Sequence, residues 1–204
     1  MRRLEGRGVY AITDGPRADL LAAVHAALVG GARLVQYRDK SGDDARREHE
    51  ARALLALCSG HDVPLIINDD VELAARIGAD GVHLGTDDAS VLLARQRLGA
   101  RAIIGVSCYG SVERARQLAK EGADYLAFGA FFASPTKPHA PEVALGVLHE
   151  ARALDLPLVA IGGINADNAG PLVDAGADFI AVISSVFGAP DIELATRQLS
   201  ALFT

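Results

Sequence analysis

Residues Gly122–Gly129 read GADYLAFG, and they join the end of a predicted helix to a short apolar strand. The Gly is expected to end the helix as its C-cap, and the small Ala lets the chain turn tightly onto the sheet. The same Gly-Ala cue recurs before three other predicted strands, at Gly31–Arg33, Gly78–Asp80 and Gly176–Asp178. Because the cues precede every second strand, the chain is interpreted as four β-α-β-α quarters, a form of internal repeat.

Short runs rich in Val, Ile and Leu alternate with segments of helical period, which predicts a parallel sheet covered by helices. The predicted strands lie at about Val9–Thr13, Leu34–Tyr37, Leu65–Asn68, Val82–Leu84, Ala102–Val106, Tyr125–Gly129, Leu158–Ile161 and Phe179–Ile183. The predicted helices lie at about Ala18–Leu28, Asp44–Leu57, Val71–Ile77, Ser90–Leu98, Val112–Glu121, Glu142–Leu154, Ala166–Ala175 and Ile192–Leu202. Eight strands and the repeat favour an α/β fold of the (β/α)8 TIM-barrel type over the open doubly wound sheet that the same alternation allows. We expect one catalytic domain over residues 1–204.

Composition and charge exclude several classes of partner. Half of the 204 residues are apolar and the net charge is −6, without a basic tract, which argues against nucleic acid or an anionic membrane surface. No apolar run reaches roughly 18 residues and no apolar h-region follows Met1, so we expect a cytoplasmic protein without a membrane partner. Cys58 and Cys108 lack metal-finger spacing and are expected to be reduced thiols. The sequence leaves the oligomeric state open, a homo-oligomer included.

Polar residues follow the predicted strands at their C-terminal ends, where the active site of a parallel barrel lies. Asp69 follows the third strand and Asp88 lies just beyond the fourth, so neighbouring strands would bring both carboxylates to one rim. Two carboxylates, together with water and phosphate oxygens, suit Mg²⁺. Capping a helix N-terminus is the alternative role for either residue, as it is for Asp70 and Asp87.

Cations are predicted at the same rim. Arg38 and Lys40 alternate at the end of the second strand, and Lys137 lies in the irregular segment Phe131–Pro141 after the sixth. Arg offers a planar fork for phosphate oxygens and Lys a mobile point charge. Each could be ordinary surface charge, but three cations facing two carboxylates predict a site for a diphosphate bridged to Mg²⁺. Irregular segments as long as Phe131–Pro141 are often functional lids.

A second anion site is predicted across the barrel mouth. Gly162–Gly163 follow the seventh strand and Ser184–Ser185 the eighth, where barrels commonly bind phosphate. The glycine pair could instead serve only a tight turn. Ser134 and Thr136 offer hydroxyls on the preceding loop, or form a solvated turn. His83 is interpreted as a packed histidine rather than a base, and no HExxH spacing predicts zinc.

Taken in order, these motifs resemble those of the thiamine-phosphate synthases, a family also called thiamine-phosphate pyrophosphorylases. The motifs are Tyr10-x-x-Thr13-Asp14, Gln36-x-Arg38-x-Lys40, Asn68-Asp69, Gly81-Val82-His83-Leu84-Gly85 with Asp88, Gly105-Val106-Ser107, Ser134-Pro135-Thr136-Lys137, Ile161-Gly162-Gly163-Ile164 and Val182-Ile183-Ser184. No single motif is decisive, whereas their joint order over nearly the whole chain is highly specific.

The resemblance implies a transferase of thiamine biosynthesis. Its reaction condenses hydroxymethylpyrimidine diphosphate with hydroxyethylthiazole phosphate, or its carboxylated form, and gives thiamine phosphate and diphosphate. In the family, diphosphate leaves first and the thiazole nitrogen then captures the pyrimidine methylene cation. Positioning and leaving-group stabilisation therefore supply the catalysis, with Mg²⁺ as the implied cofactor.

Carried over by position, the resemblance assigns three sets of residues. The pyrimidine diphosphate would be held by Gln36, Tyr37, Arg38, Asp39, Lys40, Asn68, Ser107 and Lys137. The catalytic members of that set would be Arg38, Lys40, Ser107 and Lys137. The thiazole phosphate would be held by Ser134, Pro135, Thr136, Gly163, Ile183 and Ser184. The metal would be held by Asp69 and Asp88.

Three positions depart from the family pattern. Thr86 replaces the usual Gln, and Ser134 replaces a Thr while keeping a hydroxyl. Cys108-Tyr109 lack the His that follows the Gly-Val-Ser strand in the related thiazole tautomerase. A tautomerase and a catalytically silent phosphate-binding paralogue are the alternatives, because fold alone does not fix function. The missing His weakens the first, and the intact cations and carboxylates argue against the second.

Overall fold

Parallel strands form a closed barrel in the computed structural model, which describes residues 4–133 and 142–203. The strands are β1 (Gly8–Ile12), β2 (Ala32–Tyr37), β3 (Leu65–Asn68), β4 (Gly81–Leu84), β5 (Ile103–Tyr109), β6 (Tyr125–Phe128), β7 (Leu158–Ile161) and β8 (Phe179–Val182). They pair in chain order, and β8 closes the circle by pairing with β1. The predicted TIM barrel is therefore confirmed, and the open sheet is excluded.

Helices cover the outside of the barrel. They are α1 (Leu20–Val29), α2 (Asp44–Ser59), α3 (Val71–Ile77), α4 (Val91–Leu98), α5 (Val112–Lys120), α6 (Gly146–Ala151), α7 (Gly170–Asp174), α8 (Ser184–Phe187) and α9 (Ile192–Ser200), with 3₁₀ turns at Arg152–Leu154 and Ala201–Phe203. The seventh helix begins four residues later than predicted, because Asn165 Oδ1 accepts the backbone N–H groups of Asp167 and Asn168 and forms a turn instead. Strand β5 is longer than predicted, so Ser107 lies within it.

The Gly-Ala cues act as predicted, and their third residue adds a contact that sequence reasoning missed. All four cue glycines have positive φ, between 71° and 103°, which permits the turn from helix to strand. In three of the cues an Asp side chain accepts the N–H of a residue at the start of the preceding strand. The pairs are Leu65 with Asp80 at 2.9 Å, Ile104 with Asp124 at 2.7 Å and Leu158 with Asp178 at 2.9 Å. Each carboxylate thereby fixes the register of β3 with β4, β5 with β6 or β7 with β8.

The core has two layers, one between the sheet and the helices and one inside the barrel. The inner layer consists of Leu4, Tyr10, Ile12, Leu34, Ile66, Ile103, Tyr125, Ala127, Val159, Phe179 and Ala181. Tyr10 and Tyr125 meet edge to face with ring centroids 5.9 Å apart. The Tyr125 ring fits because Gly105 has no side chain, and a Cβ at Gly105 would overlap that ring. The Gly of the Gly105-Val106-Ser107 motif therefore makes space at the barrel centre.

We expect Gly105→Ala to lower the free energy of unfolding by about 2 kcal/mol or more, because overpacking a full core forces strain. Urea unfolding measures the change. Gly170→Ala is the matched control: a Cβ there meets nothing within 4 Å, so its stability should stay the same or rise slightly. Equal stability of Gly105→Ala and the wild type would contradict the packing assignment.

Candidate active site

A cavity of about 1480 Å³ opens at the C-terminal ends of the strands, where the sequence predicted the site. The predicted residues that line it are Gln36, Arg38, Lys40, Asn68, Asp69, Asp88, Ser107, Gly163, Ile183 and Ser184. The predictions for Ser134, Pro135, Thr136 and Lys137 lie outside the described residues. One mouth therefore brings together groups from strands that are far apart in sequence.

Tyr37 and Asp39 differ from the other assigned residues, because their side chains face the helical layer. The Tyr37 hydroxyl donates to Glu50 Oε2 at 2.6 Å on α2. Asp39 Oδ2 lies 2.7 Å from Arg46 Nη2 on the same helix. Burial, followed by the hydrogen bond to Glu50 and then the Glu50 charge, raises the pKa of Tyr37. The two residues brace the end of β2 against α2, and neither lines the cavity.

Asp69 and Asp88 meet at the rim, as their positions after neighbouring strands predicted. Burial raises the pKa of Asp69, and the adjacent carboxyl group of Asp88 raises it further. The backbone of Asp69 is left-handed, with φ of 62°, a conformation that costs free energy for a residue other than Gly and often marks a functional position. Lys40 Nζ lies 3.5 Å from Asp69 Oδ2. This carboxyl pair is held together against its own charge repulsion.

The alternative role as helix caps applies to Asp70, whose side chain accepts the Leu73 N–H at 2.8 Å and caps α3. Asp88 instead accepts the Gly85 N–H at 2.6 Å and closes the turn after β4. The cap of α4 is Ser90 rather than Asp87. Asp69 and Asp88 are therefore not N-caps, which leaves them available for a cation.

The carboxyl pair fits Mg²⁺ by its donor chemistry. Two crowded carboxylates gain from a cation that neutralises their repulsion, and oxygen ligands suit this ion. Among residues 4–133 and 142–203, no cluster of three or more His, Cys, Asp and Glu side chains is placed to hold a metal. Two protein ligands match the habit of Mg²⁺, which keeps several waters and shares phosphate oxygens.

Arg38 is held by a contact that sequence reasoning did not identify. The Arg38 N–H donates to Thr13 Oγ1 at 2.8 Å, and the Thr13 hydroxyl donates to the Arg38 carbonyl at 3.1 Å. The fully buried Thr13 thus ties the end of β1 to the segment that follows β2. Within the described ranges the Arg38 guanidinium forms no ion pair with a carboxylate. Its charge is available to an anion in the cavity.

The opposite side of the mouth offers neutral groups. Gly162 and Gly163 have φ of 105° and 64°, and a Cβ at Gly163 would overlap the Phe132 and Ala133 carbonyls. Asn168 Nδ2 donates to the Gly163 carbonyl at 3.0 Å and fixes this turn.

Ser184 and Ser185 open the short helix α8 on the same side and line the cavity. The Ser185 Oγ is buried and has no hydrogen-bond partner among the described residues. A buried hydroxyl without a partner is costly, so a ligand oxygen is the partner that its position favours.

The floor of the cavity is a chain of polar side chains. Gln36 Nε2 donates to Tyr10 Oη at 2.7 Å, and Tyr10 Oη lies 2.8 Å from Tyr125 Oη. His83 Nδ1 lies 2.9 Å from Tyr125 Oη, and His83 Nε2 lies 2.9 Å from Ser107 Oγ. His83 also stacks on the Tyr125 ring, with centroids 5.6 Å apart, which agrees with its interpretation as a packed histidine. The five residues form a continuous hydrogen-bonded row from β2 to β5.

Two of the residues at positions that depart from the family pattern, Thr86 and Tyr109, contact each other. Thr86 Oγ1 donates to Tyr109 Oη at 3.0 Å at the rim. Cys108 points away from the cavity into the helical layer, where burial raises the pKa of its thiol to about 12. Cys58 is likewise buried and free, so both cysteines are the reduced thiols that were predicted.

Comparison with known proteins supports the same interpretation. A family model described as thiamine monophosphate synthase matches residues 9–186. The chain belongs to this family. It is 54% identical to a thiamine-phosphate synthase of Thiobacillus denitrificans, over 100% of this chain and 97% of that one. It is 56% identical to a thiamine-phosphate synthase of Chromobacterium violaceum, over 96% of each chain.

A solved structure of a thiamine phosphate pyrophosphorylase from Pyrococcus furiosus has the same fold. It superposes with a TM-score of 0.87 at 36% identity, covering 98% of this chain and 96% of that one. The family's motifs therefore lie on a barrel that is shared at the level of structure as well as sequence. Within the described part of the chain, no helix has the length and apolar character needed to span a membrane.

We expect Asp69→Asn to raise the unfolding temperature of the metal-free protein, because the change removes one of two repelling charges and Asn tolerates a left-handed backbone. The same change should remove most of the extra stability that the wild type gains from Mg²⁺ with inorganic diphosphate. Thermal unfolding followed by circular dichroism, with and without these additions, measures both effects. Asp87, the exposed neighbour of Asp88, provides the control. Asp87→Asn should gain the same stability as the wild type from Mg²⁺ with inorganic diphosphate. A wild-type response by Asp69→Asn would contradict its role as a metal ligand.

Proposed function

We propose that this protein is a thiamine-phosphate synthase, a transferase that joins hydroxymethylpyrimidine diphosphate to hydroxyethylthiazole phosphate and releases diphosphate. One observation carries the proposal beyond family membership: a single cavity has a cationic and carboxylate half facing a half built from glycines and serine hydroxyls. Two anions of different kinds fit such a cavity better than one. The proposal includes a single domain over residues 1–204, a cytoplasmic location and small-molecule substrates as partners.

The diphosphate half is proposed to stabilise the leaving group. Arg38, which has no carboxylate partner in the described ranges, would bind diphosphate oxygens. Lys40, on the exposed rim, would place its mobile ammonium group near the diphosphate as negative charge develops. Asn68 at the end of β3 would donate to the same group. Negative charge grows on the diphosphate as its bond to carbon breaks, so preformed positive groups lower the barrier.

Asp69 and Asp88 would hold Mg²⁺ beside these cations. When bound, the ion supplies further neutralisation of the leaving diphosphate. The closeness of the two carboxylates supports this assignment, because their mutual repulsion in the metal-free protein is relieved by a divalent cation.

The second half is proposed to hold the thiazole phosphate. Backbone N–H groups near Gly163 and the hydroxyls of Ser184 and Ser185 would bind an anion whose charge does not change during the reaction. Ile183 would pack against the thiazole from the same strand end. Holding both reactants in one cavity converts the bond-forming step into an effectively unimolecular one.

The cationic half can be tested with Arg38→Ala. Purified wild type with both substrates and Mg²⁺ should form thiamine phosphate, and Arg38→Ala should lose roughly 100-fold or more in kcat/KM, as expected for a group that stabilises developing charge. Arg38→Lys should lie between the two, because the planar fork is lost while the charge stays.

Arg101→Ala is the control for this series, since Arg101 is exposed just before β5, at the far end of the barrel. It should retain wild-type turnover. Folded wild type that makes no thiamine phosphate at saturating substrates would overturn the proposed function and favour a silent paralogue.

The neutral half can be tested with Ser185→Ala. Loss of the Ser185 hydroxyl should raise the KM for the thiazole phosphate roughly tenfold with little change in kcat, because one hydrogen bond to a charged group is removed. The unfolding free energy of the ligand-free protein should not fall, since the hydroxyl has no partner in the described structure.

Steady-state kinetics with the thiazole phosphate varied measures the first effect and urea unfolding the second. Ser59→Ala, at the exposed end of α2, provides the control. An unchanged KM together with a loss of stability would show that Ser185 serves only the fold.

A further inference from the structure

The row of hydrogen bonds on the cavity floor joins the two ends of the pyrimidine site. Gln36 and Ser107, at the two ends of the row, line the cavity, as do Tyr10 and His83, and Tyr125 completes the connection without a break. Each inner hydroxyl lies between two partners at 2.7 to 2.9 Å. A hydroxyl has one hydrogen to give, so the direction of one bond in the row sets the direction of the next.

Two features keep the row directional. The exposed fractions of Tyr10 and Tyr125 are 1% and 0%. Burial raises the pKa of both phenols, so both keep their protons. A neutral His83 ring carries one N–H, and it must donate from one nitrogen and accept at the other. The row therefore has two complete states, which differ by the reversal of every bond.

We propose that this row, with Tyr125 at its centre as a positioning residue, sets the substrate's donor and acceptor pattern by coupling the amide orientation of Gln36 to the hydroxyl orientation of Ser107. The inference rests on the proposed function for the identity of the ligand. It concerns how the pyrimidine ring is selected, and not how the diphosphate leaves.

A bond donated by Gln36 Nε2 to Tyr10 Oη belongs to one of the two states. Gln36 Nε2 donates to Tyr10, which makes Tyr10 the donor to Tyr125 and Tyr125 the donor to His83 Nδ1. His83 then carries its proton on Nε2 and donates to Ser107 Oγ.

At the two ends of the row, Gln36 Oε1 remains as an acceptor and the Ser107 hydroxyl as a donor. The exocyclic amino group of a 4-aminopyrimidine is the ring's only N–H donor, so it pairs with Gln36. A ring nitrogen, which is an acceptor, pairs with Ser107.

A 4-methoxy pyrimidine presents an acceptor where the amino group was, and both of its ring nitrogens remain acceptors. Binding it requires the Gln36 amide to rotate, and an intact row then reverses as a whole and turns Ser107 into an acceptor. The analogue therefore gains a bond at Gln36 only by losing the bond at Ser107, where two acceptors then face each other, as expected for a buried polar group that cannot be paired. If Tyr125 loses its hydroxyl, the row is cut, and Gln36 can rotate without reversing Ser107.

The first test compares kcat/KM for the 4-amino and 4-methoxy pyrimidine diphosphates. Tyr125→Phe should lower the ratio of the two values by about tenfold, the equivalent of one coupled hydrogen bond. Tyr10→Phe cuts the row elsewhere and should do the same, which covers a failure of Tyr125→Phe to fold. Thr196→Val removes a buried hydroxyl on α9, remote from the cavity, and should leave the ratio unchanged. An unchanged ratio in both Phe variants would overturn the coupling.

The second test reads the row directly in wild-type protein without substrate. Nitrogen-15 NMR of histidine-labelled protein, with the His83 signals identified by their loss in His83→Gln, should show a neutral ring protonated on Nε2. Protonation on Nδ1 would overturn the assigned direction. Because this measurement needs no turnover, it separates the two hypotheses. An inactive wild type refutes the proposed function, whereas the His83 tautomer and the kcat/KM ratio test the hydrogen-bonded row.

Discussion

Closure of the barrel is the constraint on which the rest of the structure depends. Because β8 pairs with β1, every strand has two neighbours, and all eight C-terminal ends meet at one mouth. Carboxylates fix strand register at the other end, where Asp80, Asp124 and Asp178 accept backbone N–H groups of neighbouring strands. Stability and chemistry are thereby separated, since residues at the mouth can be polar and strained without loosening the strand pairing.

The centre of the barrel is shared by the core and the site. Tyr125 fills space that Gly105 leaves open, and its hydroxyl has partners on both sides. A buried polar group must be satisfied in a medium of low dielectric constant, and a fully satisfied network is rigid and specific. The floor of the cavity is therefore preorganised by the same contacts that pack the inner layer. A ligand meets groups whose orientation is already set.

Hydrophobic periodicity and the Gly-Ala repeat predicted the barrel and most strand bounds. The positions of Asp69 and Asp88 after neighbouring strands predicted that the two carboxylates meet. The row through Tyr10 and Tyr125 was not predictable, because its members are up to 115 residues apart and their contacts depend on how strands tilt across the barrel. For Tyr37 and Asp39, the sequence already contained a signal that their side chains face away from the cavity. Side chains alternate along a strand, so assigning Gln36 and Arg38 to the cavity already places their neighbours on the other face.

Under the proposed reaction, the two halves of the mouth would hold anions by different physical means. A leaving diphosphate gains charge as its bond breaks, so interactions that strengthen with charge favour the transition state over the bound substrate. Arg38, Lys40 and the carboxylate pair for a metal are groups of that kind. A phosphate that only anchors its substrate keeps the same charge throughout, and strong cations there would tighten ground-state and transition-state binding equally. Glycine N–H groups and the hydroxyl of Ser185 would suffice for it, so in the proposed reaction the catalytic power would belong to the half that changes charge.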